Sequence, residues 1–459
     1  MHGIIIAGTH SGCGKTTVTL GILAALKRKG LTVQAFKTGP DFIDSGLHQL
    51  ITGRPSRNLD LWMCGESYVK DSFFRNSLDV DVSVIEGVMG LYDGALSTAS
   101  LADKLELPVI LVVDAYGLAE SAGALVHGFA EHNRNTVGHR FSFLGTVFNR
   151  VASENHYERL KASVGNMRVL GYLPRNLEFE IPHRHLGLTV AEESPLSDEN
   201  LHRLSDAVLR HIDVDAILAA ENRKGAETGK RQNSQSDGAP LLRFPSSSTI
   251  AVAYDRAFCF YYEDNLDFLK QEGAGIVRFS PLSDPMIPEN ADAVYIGGGY
   301  PELYARELSR NKSMLRSIHD WADTEKPLYA ECGGLMYLSQ GIHDFDGTFF
   351  PMAGIYPFET QMKKGRSKLG YREIRLTEDC LLGKRGERLR GHEFHYSEIP
   401  GNQNLTAVYS VRDGNGQEIG FEGYRLKSAL GSYIHVHFGS NPAVAKNFMD
   451  FVKERKWTT

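Results

Sequence analysis

The most constraining feature of the sequence is a glycine-rich loop between an apolar segment and an amphipathic one. Ile4–Ala7 is typical of a buried strand, residues 8–17 follow as Gly-Thr-His-Ser-Gly-Cys-Gly-Lys-Thr-Thr, and Thr16–Lys29 has helical spacing. In such a strand–loop–helix unit, glycines let backbone N–H groups surround phosphate oxygens at a helix N-terminus. Lys15 adds a positive charge and the Thr16 hydroxyl can ligate Mg²⁺. The segment therefore predicts a nucleotide-binding P-loop in an α/β fold.

The loop departs from the commonest P-loop pattern. GxxxxGK[ST] would place its first glycine at Thr9, whereas the chain has Gly8 and so matches the related GTxSxxGKT form. Chromosome-partition and septum-site ATPases share this form but carry a second lysine at the position of His10, which weakens that interpretation. A glycine-rich turn of an ordinary βα unit is the alternative.

Asn149 follows the predicted strand Phe143–Phe148, where its amide would recognise a nucleotide base or serve as a turn residue. The predicted nucleotide-binding residues are Gly8, Thr9, Ser11, Gly12, Cys13, Gly14, Lys15, Thr16, Thr17 and Asn149.

Acidic residues follow two further apolar runs of the same half. Asp41 and Asp44 come shortly after Val33–Phe36, and Glu86 directly follows Val82–Ile85. Ligands of open α/β sheets bind beyond the carboxyl ends of the strands, where carboxylates hold Mg²⁺ or orient an acceptor. For each acid a helix cap or a solvated turn is the alternative. The predicted metal ligands are Thr16, Glu86 and Asp41, and the predicted substrate contacts in this half are Asp44, Tyr92 and Asp93.

A change of composition divides the chain. Residues 221–248 lack apolar periodicity and are rich in Gly, Ser, Gln and charge, which predicts a linker. On both sides, short apolar runs alternate with amphipathic stretches, so we predict two doubly wound α/β domains, at 1–220 and 249–459. The remaining predicted strands are Val109–Val113, Thr249–Ala253, Ile276–Phe279, Ala293–Ile296 and Leu328–Ala330.

The second half carries a nucleophile motif. An apolar strand leads into Glu-Cys-Gly-Gly at 331–334, a turn that would expose the Cys332 thiol at a strand-to-helix corner. A free thiol needs a base to become an efficient nucleophile, and His435, far downstream, is the candidate. The N–H groups of Gly299 and Gly333 are the candidate oxyanion donors. We predict these four residues as a catalytic set, with a small buried cysteine as the alternative.

The composition of the chain limits which classes of binding partner and which cellular compartment we predict. Fifty Lys+Arg against 56 Asp+Glu give a net charge of −6, so no global positive field attracts nucleic acid. Five scattered cysteines without CxxC pairs argue against a disulfide framework and a structural zinc site. The N-terminus lacks a basic region, and no apolar run approaches the ~18 residues that span a bilayer. We therefore predict a cytoplasmic protein without nucleic-acid or membrane partners.

The ordered motifs resemble those of the cobyrinate a,c-diamide synthase family, whose first half is similar to dethiobiotin synthetase and whose second half is a class-I-type glutamine amidotransferase. Matching stretches cover nearly the whole chain and include GTHSGCGKTT, KTGPDFIDS, EGVMGLYDG, YIGGGYPE, AECGGL and SYIHVHFGSNP. By that resemblance Cys332 is the glutaminase nucleophile and His435 activates it. Common class-I glutaminases end their triad with His-Pro-Glu, whereas this chain has His-Val-His at 435–437. What orients His435 is left open, with a backbone carbonyl as one candidate.

The resemblance implies ATP- and glutamine-dependent amidation of the a and c acetate carboxylates of cobyrinate in cobalamin biosynthesis. ATP would convert a carboxylate into an acyl phosphate, and ammonia from glutamine would reach it along a shielded path. Mg²⁺ is the implied cofactor, and we expect a homodimer. For this polycarboxylate we predict contacts from Arg366 and Arg372 in a basic segment and from His395 in an aromatic one, lining a cleft between the domains. A solvated basic loop and an ordinary strand are the alternative.

Other interpretations keep the chemistry and change the acceptor. Hydrogenobyrinate, a nickel sirohydrochlorin, or the diamide used by cobyric acid synthase presents similar carboxylates. From a different class, a regulatory P-loop ATPase switch would need a degenerate second half, against which the Cys332 and His435 pair counts. His183 and His185 invite a metal-site hypothesis, but we assign them no role.

Overall fold

The computed structural model describes residues 3–135, 141–177, 196–219, 248–365, 368–401 and 405–456. The chain separates into two compact units, 1–236 and 237–459. Most of the predicted linker lies outside the described residues, as do His183, His185 and Arg366. Along the described ranges, no helix has the length and apolar character needed to cross a membrane.

The first unit is built on one sheet of seven strands. The strands are β1 (Gly3–Gly8), β2 (Val33–Thr38), β3 (Arg57–Leu59), β4 (Val82–Gly90), β5 (Val109–Asp114), β6 (Phe143–Val151) and β7 (Val169–Pro174). The helices are α1 (Lys15–Arg28), α2 (Ile43–Thr52), α3 (Leu61–Asn76), α4 (Thr98–Leu105), α5 (Ser121–Asn135), α6 (Glu154–Ser163) and α7 (Asp198–His211). The strands lie in the order β3-β2-β4-β1-β5-β6-β7, and every neighbouring pair is parallel.

Both faces of this sheet are covered. Ile4 and Ile6 of β1 pack into one buried cluster, whereas Ile5 and Ala7 pack into another. Successive strand residues point to opposite faces, so an unbroken apolar run is what a strand buried on both sides requires. Because all seven strands are parallel, their carboxyl ends and the loops that follow them share one edge.

The second unit contains a ten-stranded and a four-stranded sheet. The strands are β8 (Ser248–Ala253), β9 (Ala274–Phe279), β10 (Ala293–Ile296), β11 (Leu328–Glu331), β12 (Gly341–His343), β13 (Phe349–Pro351), β14 (Glu359–Met362), β15 (Lys368–Leu376), β16 (Arg388–His395), β17 (Ser397–Glu398), β18 (Thr406–Asp413), β19 (Glu418–Leu426), β20 (Ala429–Ser432) and β21 (Ile434–Val436). The helices are α8 (Glu263–Gln271), α9 (Ala305–Arg310), α10 (Lys312–Asp323), α11 (Gly333–Leu338) and α12 (Ala443–Lys456). The sheet orders are β21-β16-β15-β18-β19-β20-β11-β10-β8-β9 and β13-β12-β14-β17.

The α/β fold class is confirmed, and the second unit adds antiparallel pairing to it. Strands β9, β8, β10, β11 and β20 are parallel, whereas β19, β18, β15, β16 and β21 continue the same sheet in antiparallel pairs. The β18–β19 hairpin turns where Asp413 Oδ1 accepts the N–H groups of Asn415 and Gln417, each at 2.9 Å. A tight turn of this kind returns the chain alongside itself and so permits antiparallel pairing.

Candidate active site

The P-loop connects β1 to α1 through two glycines in the left-handed region. Gly12 and Gly14 have φ values of 84° and 89°, which other residues adopt only with strain. Gly14 immediately precedes α1, whose first-turn N–H groups and positive dipole end favour an anion. Lys15 is buried, and its Nζ lies 3.4 Å from the carbonyl oxygen of His10. Cys13 is also buried, Thr9, Gly14, Thr16 and Thr17 are half-buried, and Ser11 and Gly12 are exposed.

Close packing inside the loop explains the position of its first glycine. A Cβ on Gly8 would lie 2.3 Å from the Cys13 sulfur, so no other residue fits there. The Asn149 amide nitrogen donates to the Cys13 carbonyl at 3.1 Å, and a Cβ on Gly14 would lie 1.9 Å from that nitrogen. Asn149 therefore braces the loop from the end of β6. Its recognition of a base stays a prediction.

Glu86 is the centre of a buried polar network beside the P-loop. The Thr16 hydroxyl donates to Glu86 Oε1 at 2.7 Å, Lys37 Nζ lies 3.0 Å from the same oxygen, and His48 Nε2 lies 2.8 Å from Oε2. Burial alone would raise the pKa of Glu86, but the charge of Lys37 and the hydrogen bonds of His48 and Thr16 outweigh it. The pKa is held below its ordinary value, and Glu86 is a carboxylate at neutral pH.

Lys37 is a buried cation that the sequence analysis did not single out. Besides Glu86, its Nζ contacts Asp44 Oδ2 at 2.5 Å and the Gly87 carbonyl at 3.2 Å. Burial would lower the pKa of Lys37, but attraction to Asp44, Glu86 and Asp41 outweighs it, so the pKa is raised and the amine stays charged. The available signal was a lysine directly after the apolar run of β2, at the sheet edge where ligands bind.

Three other predicted residues make local structural hydrogen bonds. Asp41 Oδ1 accepts two backbone N–H groups at the start of α2, at 2.8 and 2.9 Å. Asp93 Oδ2 accepts the N–H of Gly90 at 2.8 Å, and the Tyr92 hydroxyl donates to the Phe129 carbonyl at 2.7 Å. Asp41 thus makes the contacts of a helix cap, which was the alternative interpretation of this acid. The metal role of Asp41 and the substrate roles of Asp93 and Tyr92 stay predictions.

Thr16 and Glu86 offer a hydroxyl and a carboxylate oxygen, which are hard ligands suited to Mg²⁺. Magnesium in nucleotide sites commonly takes one or two protein oxygens and completes its shell with phosphates and water. Within the described ranges, no group of three or more His, Cys, Asp or Glu residues is arranged to hold a metal ion. One hydroxyl and one carboxylate oxygen beside the P-loop are a donor set that fits a Mg²⁺ ion binding together with a nucleotide.

Cys332 sits at a strained corner between β11 and α11. Its φ of 49° and ψ of −105° are unusual for a residue other than glycine and match a nucleophile on a sharp strand-to-helix turn. Burial, with Glu302 close by, raises the pKa of the Cys332 thiol. The thiol is therefore protonated at neutral pH, so its reaction as a nucleophile requires a neighbouring base.

His435 and Cys332 approach the same space above Gly298. A Cβ on Gly298 would lie 2.3 Å from His435 Cε1, 3.1 Å from His435 Nε2 and 3.4 Å from Cys332 Cβ. Burial and the nearby His392 and His395 lower the pKa of His435, so its imidazole is neutral and able to accept a proton. The structure thus brings together the predicted nucleophile and base, and only glycine fits between them.

The two predicted oxyanion donors adjoin at this corner. A Cβ on Gly333 would lie 3.2 Å from the backbone nitrogen of Gly299. Gly299 has a φ of 155°, and a Cβ there would lie 2.0 Å from the Ala257 carbonyl oxygen, so the position excludes other residues. The N–H of Gly333 also contacts the Cys332 sulfur, which favours the thiolate. Backbone donors so placed can stabilise a developing oxyanion.

Arg372 and His395 meet in a second buried network near the thiol. Arg372 Nε donates to Glu393 Oε2 at 2.6 Å, and His395 Nε2 lies 2.8 Å from Glu393 Oε1. The His395 ring stacks on Tyr433 with 3.7 Å between centroids. The intervening Phe394 carbonyl lies 3.5 Å from the Cys332 sulfur. These contacts leave the predicted substrate roles of Arg372 and His395 untested.

Glu331, the residue before the nucleophile, is a buried carboxylate to which the sequence analysis gave no role. Its Oε1 accepts from the Tyr329 hydroxyl at 2.8 Å and from the Val436 N–H at 3.0 Å, and its Oε2 accepts from the Tyr295 hydroxyl at 2.8 Å. Oε2 also lies 3.9 Å from His435 Nδ1. An acidic residue at the end of an apolar strand was the only signal in the sequence.

Each half of the chain matches a known protein family. Residues 4–188 match the CobQ/CobB/MinD/ParA nucleotide binding domain, and residues 249–443 match the CobB/CobQ-like glutamine amidotransferase domain. Cobyrinate a,c-diamide synthases from Syntrophotalea carbinolica and Caldanaerobacter subterraneus are each 42% identical, over 98% and 97% of both chains respectively. A solved GMP synthase subunit from Thermoplasma acidophilum shares 15% identity at a TM-score of 0.33, covering 46% of this chain and 96% of that one.

Proposed function

The chain belongs to the cobyrinate a,c-diamide synthase family, and from that premise we propose that it amidates the a and c acetate side chains of cobyrinate, one after the other. It is an ATP-using, glutamine-dependent ligase of cobalamin biosynthesis. The observation that carries this function is the 42% identity to a cobyrinate a,c-diamide synthase over 98% of both chains.

The two centres divide the work between two domains. Residues 1–220 would form the ATP-binding synthetase domain, 221–248 the linker and 249–459 the glutamine amidotransferase domain. The match of each half to a different domain family supports this division.

The first domain activates the acceptor. A carboxylate reacts poorly with ammonia because oxide is a bad leaving group, so its oxygen attacks the γ-phosphorus of ATP, the bond to ADP breaks and an acyl phosphate forms. Lys15 and the loop N–H groups hold the phosphates, and Asp44 and Asp93 contact the acceptor. Thr16 and Glu86 would hold Mg²⁺, which neutralises phosphate charge when bound. Lys37 keeps Glu86 charged and holds the Asp44 side chain in place through its contact with Oδ2.

The second domain releases ammonia. His435 Nε2 takes the Cys332 proton, and the sulfur bonds to the carboxamide carbon of glutamine while the N–H groups of Gly299 and Gly333 hold the oxyanion. The C–N bond then breaks as the imidazolium returns its proton to the leaving nitrogen, which gives ammonia and a thioester. Water hydrolyses the thioester, glutamate leaves and the thiol is restored. Ammonia bonds to the acyl phosphate carbon, and inorganic phosphate departs.

Product mass analysis tests the function. The enzyme is incubated with ATP, Mg²⁺ and glutamine, together with cobyrinate, hydrogenobyrinate, a nickel sirohydrochlorin or cobyrinate a,c-diamide. Two successive carboxyl-to-amide shifts on cobyrinate are expected. Amidation of only the diamide would indicate the cobyric acid synthase reaction instead, and ATP turnover independent of any acceptor would contradict the ligase assignment.

A split phenotype tests the division of labour. Cys332→Ala should abolish glutamine-dependent amidation, whereas amidation with added ammonium should survive because the first domain is untouched. Loss of both activities in a folded variant would contradict the proposal.

The assembly and the compartment belong to the same proposal. A homodimer in the cytoplasm is expected, and light scattering with cell fractionation tests it.

A further inference from the structure

We propose that Glu331 is the carboxylate that positions His435, in the role that the glutamate of a His-Pro-Glu triad has in common class-I glutaminases. The inference rests on the proposed glutaminase function and adds a positioning residue to it. The carboxylate would come from the residue before the nucleophile, on β11, and not from the residue two places after the histidine.

The first support is the position of the carboxylate. Glu331 Oε2 lies 3.9 Å from His435 Nδ1, the ring nitrogen opposite the Nε2 that faces Gly298. The other carboxylate oxygen accepts the N–H of Val436, the residue next to His435, so Glu331 is tied to the same strand. Contacts between catalytic groups often lie beyond hydrogen-bond length before substrate binds and tighten in the complex.

The second support is the set of donors around Glu331. Two tyrosine hydroxyls and one backbone N–H point at it, which is the environment of a charged acceptor. A carboxylate has about four acceptor positions, so three donors leave capacity on Oε2, the oxygen that faces His435. Both side chains are almost completely buried, at 1% and 2% exposure, so their interaction is little screened by solvent.

The chemistry gives this carboxylate a specific task. Proton transfer from Cys332 to His435 creates an imidazolium in a buried site, which is costly without a counter-charge. A carboxylate at Nδ1 stabilises that imidazolium and holds the ring in the tautomer whose Nε2 is free to accept the proton. His437, the second histidine of the His-Val-His pattern, accepts the N–H of Gly439 at its Nδ1, at 3.0 Å.

The titration of Glu331 gives the proposal a measurable signature. Burial raises the pKa of Glu331 to about 7, although Tyr329, Tyr295 and the Val436 N–H oppose the rise. The pKa of His435 is lowered well below its ordinary value. Tyr295, Tyr329, Tyr261, Tyr409 and Cys332, whose charges couple to Glu331, have pKa values raised by burial and stay neutral near pH 7. Burial also raises the pKa values of Glu302, close to the thiol, and of Glu422, which accepts from Ser432, to about 7, so the Glu331 and Tyr329 variants assign the pH dependence to Glu331. Glutamine hydrolysis should therefore rise with pH through about 7 as Glu331 ionises.

Three variants of the full-length enzyme test the proposal. Glutamine hydrolysis and iodoacetamide alkylation of Cys332, followed by peptide mass spectrometry, are measured from pH 5.5 to 8.5. Glu331→Gln should lower hydrolysis by about 100-fold or more and remove the rise near pH 7. Glu331→Asp should recover part of the rate. Tyr329→Phe removes a donor to the carboxylate, so the rise should move to higher pH.

The outcomes are separable. Hydrolysis by Glu331→Gln within roughly threefold of the parent, with the rise unmoved, would overturn the proposal. If Glu331→Gln does not fold, an unmoved rise in Tyr329→Phe would overturn it alone. Ammonia-dependent amidation is measured in parallel, and it should be unchanged in all three variants. If the parent enzyme shows no ammonia-dependent amidation, the ligase function is refuted. The pH profiles of hydrolysis and alkylation would still decide the role of Glu331.

Discussion

Gly298 separates the predicted base from the predicted nucleophile, and Gly298→Ala is expected to disable one half-reaction selectively. The new methyl carbon would lie 2.3 Å from His435 Cε1, whereas carbon atoms in contact sit about 3.5 Å or more apart. The imidazole must therefore move by roughly 1 Å, away from the space it shares with Cys332. The φ of Gly298 lies outside the left-handed region, so the backbone tolerates alanine.

The size of the effect follows from what His435 contributes. A misplacement of about 1 Å costs roughly 100-fold in rate, within the ~100- to 10,000-fold range of general-base catalysis. We expect glutamine hydrolysis to fall about 100-fold in kcat/KM, which is about 2.7 kcal/mol of transition-state stabilisation. Ammonia-dependent amidation should be unchanged because it does not use the thiol centre.

The assay compares the two nitrogen sources in the same preparation. Gly414→Ala is the matched control, because its Cβ would meet Tyr371 Cβ at 3.4 Å, an ordinary contact. Overpacking at Gly298 is expected to cost about 1–3 kcal/mol of stability, so thermal unfolding is recorded first. A folded Gly298→Ala enzyme that hydrolyses glutamine within roughly threefold of the parent would refute the arrangement of His435 and Cys332 described above.

Two further predictions concern the nucleotide centre. Lys37→Met leaves the fully buried Glu86 carboxylate without its cation, so urea unfolding should show a loss of about 3–5 kcal/mol and amidation should fail with either nitrogen source. A loss below about 1 kcal/mol would contradict the buried ion pair of Lys37 and Glu86. Asn149→Ala removes the donor to the Cys13 carbonyl, worth about 1 kcal/mol, and should raise the KM for ATP about fivefold at unchanged glutamine hydrolysis. An unchanged KM would show that the P-loop keeps its shape without this brace.

Elements with a strong local signal are those that the sequence predicts well. Val109–Val113 predicts β5, which the structure extends only to Asp114, and Ala293–Ile296 coincides with β10. Both are continuous apolar runs, as strands buried on two faces require. Arg57–Leu59 escapes prediction because two of its three residues are polar, and the strand is defined only by pairing with β2. Strands β15, β16 and β19 carry many charged residues, so their apolar content is too sparse to mark them. The turn between β18 and β19 is marked in the sequence by Asp-Gly-Asn-Gly at 413–416.

The site residues differ in the same way: some lie in a short segment with a strong local signal, and others have a role only through distant contacts. The phosphate loop and the Cys332 corner are each contained in about ten consecutive residues, so their chemistry is legible in the sequence. The function of Gly298 and Glu331 depends on where His435 lies, and that position is set by the pairing of β21 with β16. Sequence separation hides such a contact because nothing near residue 331 specifies which strand will pack against it. The partner of an acid at the end of an apolar strand therefore cannot be identified from the sequence. For Glu331 the structure identifies it as the imidazole of His435, whose orientation the sequence left open.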